Sequence, residues 1–281
     1  MQIIRHPDRL RRWSRSLRRR RETVGFVPTM GALHEGHLSL IRQAKRECRR
    51  VVASLFVNPL QFGPKEDFRR YPRDRKGDFE KLRRERVDCV FTPSAKQMYS
   101  ADYQTSVSVE RLSRPLCGRF RPGHFQGVAT VCAKLFNAAE PDRAYFGQKD
   151  FQQLRIIEQL VEDLNLGIRI RRHPIVRERD GLAMSSRNRY LNPAQRQSAT
   201  LLYKALCAGK EAIRRGERNG VALMRRMRRV VRSPKIRIDY LEAVDPENLS
   251  TLKRIKGKVL LSGAIRVGKT RLIDNLLVRV S

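Results

Sequence analysis

Short apolar runs and stretches with helical spacing take turns along the N-terminal part of the chain. The runs 24–27 and 51–57 are apolar and rich in β-branched residues, as in buried strands. Between them, Leu38, Ile41 and Ala44 recur at helical spacing. A strand, a helix and a strand joined by short links predict a right-handed parallel crossover. The N-terminal part is therefore predicted to be a doubly wound parallel sheet.

The same patterns predict the helices and strands in the rest of the chain. Predicted helices are 7–21, about 75–86, 128–139, a stretch starting near 149–150, one starting at Pro193, and 219–232. Predicted strands are 87–91, one ending at Gly147, 168–176, 236–244 and 259–265. Gly, Pro and charge predict a mobile loop at 62–74 and an unpacked, substrate-facing loop at 114–127. The fold class is α/β, with a Rossmann-like domain over 1–174 and a smaller C-terminal α/β lid domain over 175–281.

The stretch that carries the chemistry is VGFVPTMGALHEGH, residues 24–37. Pro28 is expected to stop the first buried strand because it has no N–H for a ladder, and Gly31 permits a sharp turn. His34 and His37 follow where the next helix begins, and residues three apart share a helix face. A helix N-terminus favours anions, so two imidazoles there predict a cradle for a polyphosphate.

Polar residues also follow the ends of other predicted strands. Gln61 follows the second strand, and in such sheets ligands bind beyond the carboxyl ends of strands. We therefore expect Gln61 to face the same crevice as the histidines. Gly147 allows close backbone approach to a ligand, and Lys149 supplies a point charge for phosphate. Asp150 suits either a helix cap or a ribose hydroxyl.

Two further segments hold candidate anion ligands. Met184–Asn188 contains two hydroxyls and a guanidinium, which together suit a pyrophosphate. His124 is either a phosphate or carboxylate donor or an ordinary surface histidine.

A phosphate-binding loop pattern, GxxxxGK[ST], occurs at 263–270. A true loop of this kind opens a βαβ sheet, and a later strand supplies an acidic magnesium ligand. Only 11 residues follow Thr270. We therefore predict that this segment does not bind ATP.

His34-Glu35-Gly36-His37 resembles the HxGH signature of the nucleotidyltransferase superfamily, relatives of the class I aminoacyl-tRNA synthetases. The longer string PTMGALHEGHLSLI is similar to the pantothenate synthetase (pantoate–β-alanine ligase) family. So are the strings DGLAMSSRN and RVGKTRLIDN, and the resemblance runs from near the start of the chain to its end. Gln148 is a departure, since the family usually reads FGEKD at this point.

The resemblance implies an ATP-dependent ligase with two steps. Pantoate attacks the α-phosphate of ATP to give pantoyl adenylate and pyrophosphate, and the β-alanine amine then displaces AMP to give pantothenate. It implies catalytic roles for His34, His37, Lys149 and Arg187, with His37 as the proton donor.

The resemblance also implies the ligands of each substrate. Gln61 and Gln153 would hold the pantoate and β-alanine side. Mg²⁺ should accompany the phosphates and keep several waters. Asp78 is a candidate magnesium-side carboxylate, with a solvated helix position as the alternative. A homodimer is expected. The ATP-binding residues implied are Met30, Gly31, His34, His37, Gly147, Gln148, Lys149, Asp150, Val176, Met184, Ser185, Ser186 and Arg187.

Composition changes this picture only through charge and compartment. Lys and Arg number 61 against 28 Asp and Glu, a net charge of +33 that is spread along the whole chain. Without an RNA-binding motif, such charge predicts non-specific nucleic-acid binding at most.

No apolar run approaches the roughly 20 residues of a membrane span. Five scattered cysteines and the lack of a secretory signal predict a cytoplasmic protein without a zinc site.

Two other function classes stay open. One is a different HxGH nucleotidyltransferase, such as an enzyme that makes a dinucleotide cofactor, although the paired glutamines and the DGLAMSSRN string argue against it. The other is an RNA-binding protein built on the same fold. Salt-dependent RNA retention without ATP–pyrophosphate exchange would favour the second class.

Overall fold

The structure is a computed structural model that describes residues 1–64 and 66–280. Its internal contacts divide the chain into two units. The N-terminal unit comprises Met1–Ser113, Arg121–Gln148 and Gln153–Pro174. The C-terminal unit comprises Arg114–Phe120, Lys149–Gln152 and the chain from Ile175 onward. The two short segments group with the C-terminal unit although they lie within the predicted N-terminal domain.

The N-terminal unit is built on a six-stranded parallel sheet. Its strands are β1 (Gln2–Ile4), β2 (Val24–Thr29), β3 (Arg50–Leu55), β4 (Cys89–Phe91), β5 (Arg143–Gly147) and β6 (Arg169–His173). Their order is β1-β4-β3-β2-β5-β6, and every neighbouring pair is parallel. This order confirms the predicted Rossmann-like sheet.

Helices connect these strands. They are α1 (Pro7–Arg19), α2 (Glu35–Glu47), α3 (Arg75–Arg84), α4 (Ala95–Met98), α5 (Glu110–Ser113), α6 (His124–Ala139) and α7 (Phe151–Asp163). The spacing of apolar residues along α2 places Ile41 and Ala44 in the core. There they share a cluster with Val27 of β2 and Val51 of β3. Burial of this face fixes where α2 begins relative to the end of β2.

Three details of the predicted N-terminal elements are wrong. β2 does not stop at Pro28 but pairs with β3 through Thr29. Pro28 is tolerated because β2 pairs with β5 only at Gly25 and Phe26, which leaves the end of the strand paired on one side. β1 was not predicted, because three residues carry too little pattern. The third detail is the segment 114–127.

The segment 114–127 is packed structure and not an open loop. Leu116 and Cys117 are buried in a 3-10 helix, Leu116–Phe120. α6 begins already at His124, because Gly123 takes a left-handed conformation with φ of 77° that turns the chain into the helix. The prediction failed because glycine and proline were read as loop signals, although apolar residues between them could be buried.

The loop 62–74 contains an aromatic cluster. The Phe62 ring centroid lies 5.4 Å from that of Phe68 and 5.8 Å from that of Tyr71, and Tyr71 is buried. The prediction of mobility falls partly on Lys65, which lies outside the described residues.

The C-terminal unit packs two helices against a three-stranded antiparallel sheet. Its elements are α8 (Pro193–Arg214), α9 (Gly220–Val231), β7 (Ile236–Val244), β8 (Lys258–Val267) and β9 (Thr270–Arg279). The sheet order is β7-β8-β9. Leu206 of α8, Met227 of α9 and Leu261 of β8 belong to one buried cluster. β9 was missed because its sequence was read as a motif and not as a strand. No helix in the described part of the chain is long and apolar enough to cross a membrane.

Candidate active site

A tight turn joins β2 to α2 and presents both histidines of the HxGH motif. We call residues 30–37 the HxGH turn. Gly31 and Ala32 take positive φ values of 87° and 50°. His34 has extended backbone and precedes the first helical residue, so both histidines lie on the first turn of α2. Their ring centroids are 4.1 Å apart, in agreement with the predicted shared face.

The hydrogen bond inside this turn fixes the proton of His37. The backbone N–H of His34 donates to Nδ1 of His37 at 3.4 Å. A ring nitrogen that accepts a hydrogen bond carries no proton, so the neutral His37 ring has its proton on Nε2. Nε2 is therefore the donor atom of this imidazole, which suits the role expected of His37.

Asp78 of α3 holds the HxGH turn. Its carboxylate is 2% exposed and accepts the backbone N–H groups of Ala32 at 2.8 Å and Leu33 at 2.7 Å. A Cβ on Gly31 would lie 2.9 Å from Asp78 Oδ2, so the turn needs glycine here. Burial raises the pKa of the Asp78 carboxyl, and the two backbone N–H groups offset part of that rise. The alternative of a solvated helix position is therefore wrong.

The residues present do not fit a protein-held magnesium ion. Both Asp78 oxygens already accept backbone N–H groups inside the protein. Within residues 1–64 and 66–280, no group of three or more His, Cys, Asp or Glu side chains is arranged to hold a metal. Asp78 thus has a structural task that the sequence did not predict, which is to fix the shape of the HxGH turn.

Gln61 lies beside the HxGH turn. It ends a 3-10 helix, Pro59–Gln61, that follows β3, and it is 8% exposed. Its Oε1 accepts from Asn58 Nδ2 at 3.2 Å, and its Nε2 donates to Met30 Sδ at 3.2 Å. These two contacts fix which end of the amide faces the turn. The structure therefore brings Gln61 and Met30 together, as the strand-end argument predicts.

His124 supports Gln61, and both of its ring nitrogens contact protein groups. Its Nδ1 lies 2.8 Å from the Gln61 carbonyl oxygen and must donate to it. Its Nε2 lies 2.9 Å from Arg121 Nη1 and must accept, since arginine only donates. Arg121 is held in turn by both carboxylate oxygens of Glu66, at 2.7 and 2.5 Å. Because His124 is 9% exposed, the surface-histidine hypothesis is wrong, whereas the anion-donor hypothesis stays a prediction.

Asn58 was missed in the sequence. Besides Gln61, its Nδ2 donates to the Gly127 carbonyl at 3.0 Å, and its Oδ1 accepts from the Tyr99 hydroxyl at 2.8 Å. It is 1% exposed. The sequence signal was an Asn directly before a Pro at a strand end, a position where an Asn side chain commonly caps the following turn.

The second group of predicted residues follows β5. Gly147 ends β5, and an added Cβ there would meet nothing within 4 Å, so packing alone does not demand glycine. Gln148 is half-buried in a 3-10 helix, Gln148–Asp150. Lys149 Nζ lies 3.6 Å from Asp150 Oδ2, which gives the carboxylate a partner other than a ribose.

The two neighbouring glutamines of α7 differ in their surroundings. Gln152 is buried, accepts from the Cys117 N–H at 3.0 Å, and donates to the Pro115 carbonyl at 2.8 Å. Gln153 is half-buried. Gln152 thus holds the segment 114–120, and the substrate role of Gln153 stays a prediction.

The third group lies on one hairpin of the C-terminal unit. We call residues 184–188 the serine loop. The Met184 N–H donates to the Val176 carbonyl at 3.0 Å, which closes the hairpin. Ser185 Oγ accepts from the Arg187 N–H at 3.3 Å and starts a 3-10 helix, Ser186–Tyr190. Ser186 is buried, whereas Ser185 and Arg187 are half-buried. The hairpin therefore brings the predicted serines and arginine together.

Comparison with known proteins gives the family. Residues 2–277 match the family model described as pantoate-beta-alanine ligase. The chain belongs to the pantoate–β-alanine ligase family. A relative named pantothenate synthetase from Thermosipho melanesiensis is 51% identical over 278 residues, which is 99% of this chain and 99% of the relative.

Solved structures of this family share the fold. Pantothenate synthetase from Thermus thermophilus superposes with a TM-score of 0.94 at 46% identity and covers 98% of this chain and 99% of its own. The pantoate-beta-alanine ligase from Francisella tularensis, complexed with beta-gamma ATP and beta-alanine, has a TM-score of 0.80 at 33% identity. That match covers 99% of this chain and 97% of the other. The predicted family and fold are confirmed.

The GxxxxGK pattern lies on a β-hairpin, which leads to a prediction. Val267 and Thr270 pair across the turn between β8 and β9, and Lys269 is exposed in it. No helix N-terminus follows this glycine turn, so its backbone N–H groups do not form a phosphate cradle. We expect Lys269→Ala to leave the ATP dissociation constant within about threefold of wild type, as for most exposed substitutions. Isothermal titration calorimetry checks this, and loss of ATP binding at an unchanged Tm would contradict it.

Proposed function

We propose that this chain condenses (R)-pantoate with β-alanine at the expense of ATP, through a pantoyl adenylate intermediate, giving pantothenate, AMP and pyrophosphate. The observation that carries the proposal is the family match over residues 2–277, which includes an intact HxGH turn. A relative with solved structure is described as complexed with beta-gamma ATP and beta-alanine. Both ligands are substrates in the proposed reaction.

The first step requires positioning and charge neutralisation more than covalent catalysis. A pantoate carboxylate oxygen bonds to the α-phosphorus, and the bond to the pyrophosphate oxygen breaks. Negative charge builds on the α-phosphate and on the leaving group. Preorganised donors at that point lower the barrier. The N-terminus of α2 favours an anion, and His37 supplies its Nε2 proton as a donor there.

Other residues stabilise charge or hold the nucleotide. His34 stands beside His37 on the same turn. Lys149 and Arg187 supply positive charge to the phosphates. The ATP-binding residues proposed are Met30, Gly31, His34, His37, Gly147, Gln148, Lys149, Asp150, Val176, Met184, Ser185, Ser186 and Arg187.

Gln61 and Gln153 are the proposed ligands of pantoate and β-alanine. An amide donates and accepts, so it suits a substrate that carries hydroxyls and a carboxylate. Gln61 meets this need with an amide that Asn58 and Met30 hold in one orientation. Its backbone is held by His124. This support favours a substrate role, because binding groups gain from a rotamer that is fixed before the substrate arrives.

Magnesium is proposed only as the counter-ion of the ATP phosphates. Mg²⁺ keeps several waters and often binds through substrate phosphates in place of an all-protein cage. The engaged oxygens of Asp78 support this assignment over a protein ligand.

The proposed function is tested by the products. The purified chain is incubated with ATP, pantoate and β-alanine, and pantothenate and AMP are quantified by mass spectrometry. We expect both products in equal amounts, and neither when pantoate is omitted. ADP as the nucleotide product, or AMP formed without pantoate, would exclude the proposed reaction.

A homodimer in the cytoplasm completes the proposal. Its support is the family resemblance and five free thiols, which are typical of proteins from reducing compartments. Light scattering after size exclusion should give twice the 32.7 kDa mass of one chain. A mass of one chain at micromolar concentration would exclude the dimer.

The basic surface is expected to be incidental to catalysis. Arg225, Arg226, Arg228 and Arg229 are exposed on α9. Changing all four to Gln should leave pantothenate formation within about twofold, and relief of like-charge repulsion should add at most a few tenths of a kcal/mol of stability. RNA binding by wild type should be weak and fall steeply with salt, since it rests on counterion release.

Both properties are measured on the same variant at low and physiological salt. A large loss of ligase turnover would show that the charge belongs to the function. So would retention of RNA by wild type that stays unchanged at high salt.

A further inference from the structure

Two adjacent buried residues of β9 contact two segments that carry proposed phosphate ligands. Asp274 and Asn275 are each 4% exposed. Asn275 Nδ2 donates to the backbone carbonyl of Lys149 at 2.9 Å. The contact spans 126 residues of sequence and ties the Lys149 backbone to β9.

Asp274 holds the hairpin that leads into the serine loop. Its Oδ2 accepts from Arg177 Nη1 at 2.7 Å, and its Oδ1 accepts from Arg177 Nη2 at 2.9 Å. Arg177 Nη1 also donates to the Gly181 carbonyl at 3.0 Å, across the same hairpin. The guanidinium lies 3.7 Å from the centroid of the Tyr203 ring. This bidentate ion pair restricts movement of the hairpin along β9.

A hydrogen bond from the backbone of Asn275 to the side chain of Asp274 joins these supports. The backbone N–H of Asn275 donates to Asp274 Oδ1 at 2.8 Å. The same oxygen therefore accepts from the strand and from Arg177. β9 is itself paired along its length with β8, which makes it a rigid base.

We propose that Asp274 and Asn275 are positioning residues for adenylate formation, with Asn275 setting the backbone of Lys149 and Asp274 setting the serine loop through Arg177. The inference rests on the proposed function and deepens it. It gives a task to the RVGKTRLIDN segment, whose resemblance to a phosphate-binding loop is misleading. The segment serves ATP chemistry through its last two residues and not through its lysine.

The chemistry of the two residues supports a positioning role. Burying a polar residue costs free energy unless its hydrogen-bond partners are satisfied, so a buried Asp–Asn pair is not the choice that packing alone favours. Here Asn275 donates to the backbone carbonyl of Lys149, which is one proposed phosphate ligand. Asp274 pairs with Arg177, at the base of the hairpin that carries another proposed phosphate ligand, Arg187. Displacement of a catalytic group by about 1 Å can cost on the order of 10²-fold in rate.

The test compares Asn275→Leu with Ser262→Ala. Leucine has nearly the shape of asparagine but no donor, so it removes the contact to Lys149 without a cavity or a charge. Ser262 is a matched control, because it is a buried polar residue that pairs with Asn275 in register on β8. Pantoate-dependent ATP–pyrophosphate exchange gives the KM for ATP, the KM for pantoate and the rate, and thermal melting gives the Tm.

We expect Asn275→Leu to raise the KM for ATP or lower the exchange rate, by about tenfold or more in total, with the KM for pantoate within about twofold. Ser262→Ala should leave all three within about twofold. Equal kinetic losses in both variants at equal Tm shifts would overturn the inference, because they would report general destabilisation. If Asn275→Leu is too unstable to assay, Asn275→Ala carries the same comparison.

A double-mutant cycle tests the path through Lys149. If Asn275 acts by placing Lys149, then Asn275→Leu adds little further loss in a Lys149→Met background. Losses that multiply would overturn this path. If the wild-type protein shows no pantoate-dependent exchange, the proposed function itself is excluded. If the wild type shows exchange and Asn275→Leu has the same KM for ATP and the same rate, only the inference is excluded.

Discussion

Replacing His37 by alanine is expected to lower the rate of pantoate-dependent ATP–pyrophosphate exchange by about 10²–10³-fold, the loss seen in other enzymes when one preorganised donor to a developing negative charge is removed. The reason lies in the HxGH turn. The His34 N–H occupies Nδ1 of His37, so the ring proton sits on Nε2 at the N-terminus of α2. Alanine is a good helix former, but it removes the Nε2 donor together with the contact from the His34 N–H to Nδ1. Exchange kinetics and circular dichroism on the same preparation measure the two effects separately.

Two further variants control this result. Glutamine places an Nε2–H close to where the imidazole Nε2–H lies, so His37→Gln should recover part of the lost rate. His6 is exposed at the start of α1, and His6→Ala should exchange at the wild-type rate. A His37→Ala variant that exchanges as fast as wild type would remove this histidine from the mechanism.

Asp78→Asn is expected to weaken both stability and adenylate formation. The carboxylate accepts two buried backbone N–H groups, whereas an amide has one acceptor oxygen and turns its NH₂ toward the other N–H. Leaving that N–H unsatisfied costs about 1–3 kcal/mol of unfolding free energy. Because the turn that carries His34 shifts, we expect the exchange rate to fall by about tenfold or more. Urea denaturation and exchange kinetics check the two effects.

The same variant separates a structural role from a metal role. If Asp78 only holds the turn, the Mg²⁺ concentration that gives half-maximal exchange stays as in wild type. Glu80→Gln is the control, since Glu80 is exposed on the same helix. If Asp78→Asn needs an about tenfold higher Mg²⁺ concentration for half-maximal exchange at unchanged stability, Asp78 is a magnesium ligand after all.

The elements that could be predicted were those with a strong local pattern. β2, β3 and α2 have apolar runs or helical spacing that the core of the N-terminal unit requires, so their order and direction followed from the sequence. Pro28 shows the limit of local reasoning. Whether a missing N–H ends a strand depends on which neighbours pair there, and that is a property of the whole sheet.

The residues of the candidate site likewise fall into those that the sequence predicted and those that it did not. The histidines, Gln61 and the serine loop stood out because motif and strand end coincided. The residues that hold them in place could not be predicted, because they act through contacts between distant parts of the chain. Asp78 reaches Ala32 across 46 residues, and His124 reaches Gln61 across 63. A single sequence carries no signal for such pairs.

In the proposed reaction this chain activates pantoate as its adenylate. The most direct measurement is incorporation of labelled pyrophosphate into ATP by the wild-type chain, with and without pantoate and in the absence of β-alanine. Adenylate formation is reversible, so we predict incorporation that requires pantoate and needs no β-alanine. Incorporation that proceeds equally without pantoate, or none at all from folded protein with both substrates and Mg²⁺ present, would contradict the account.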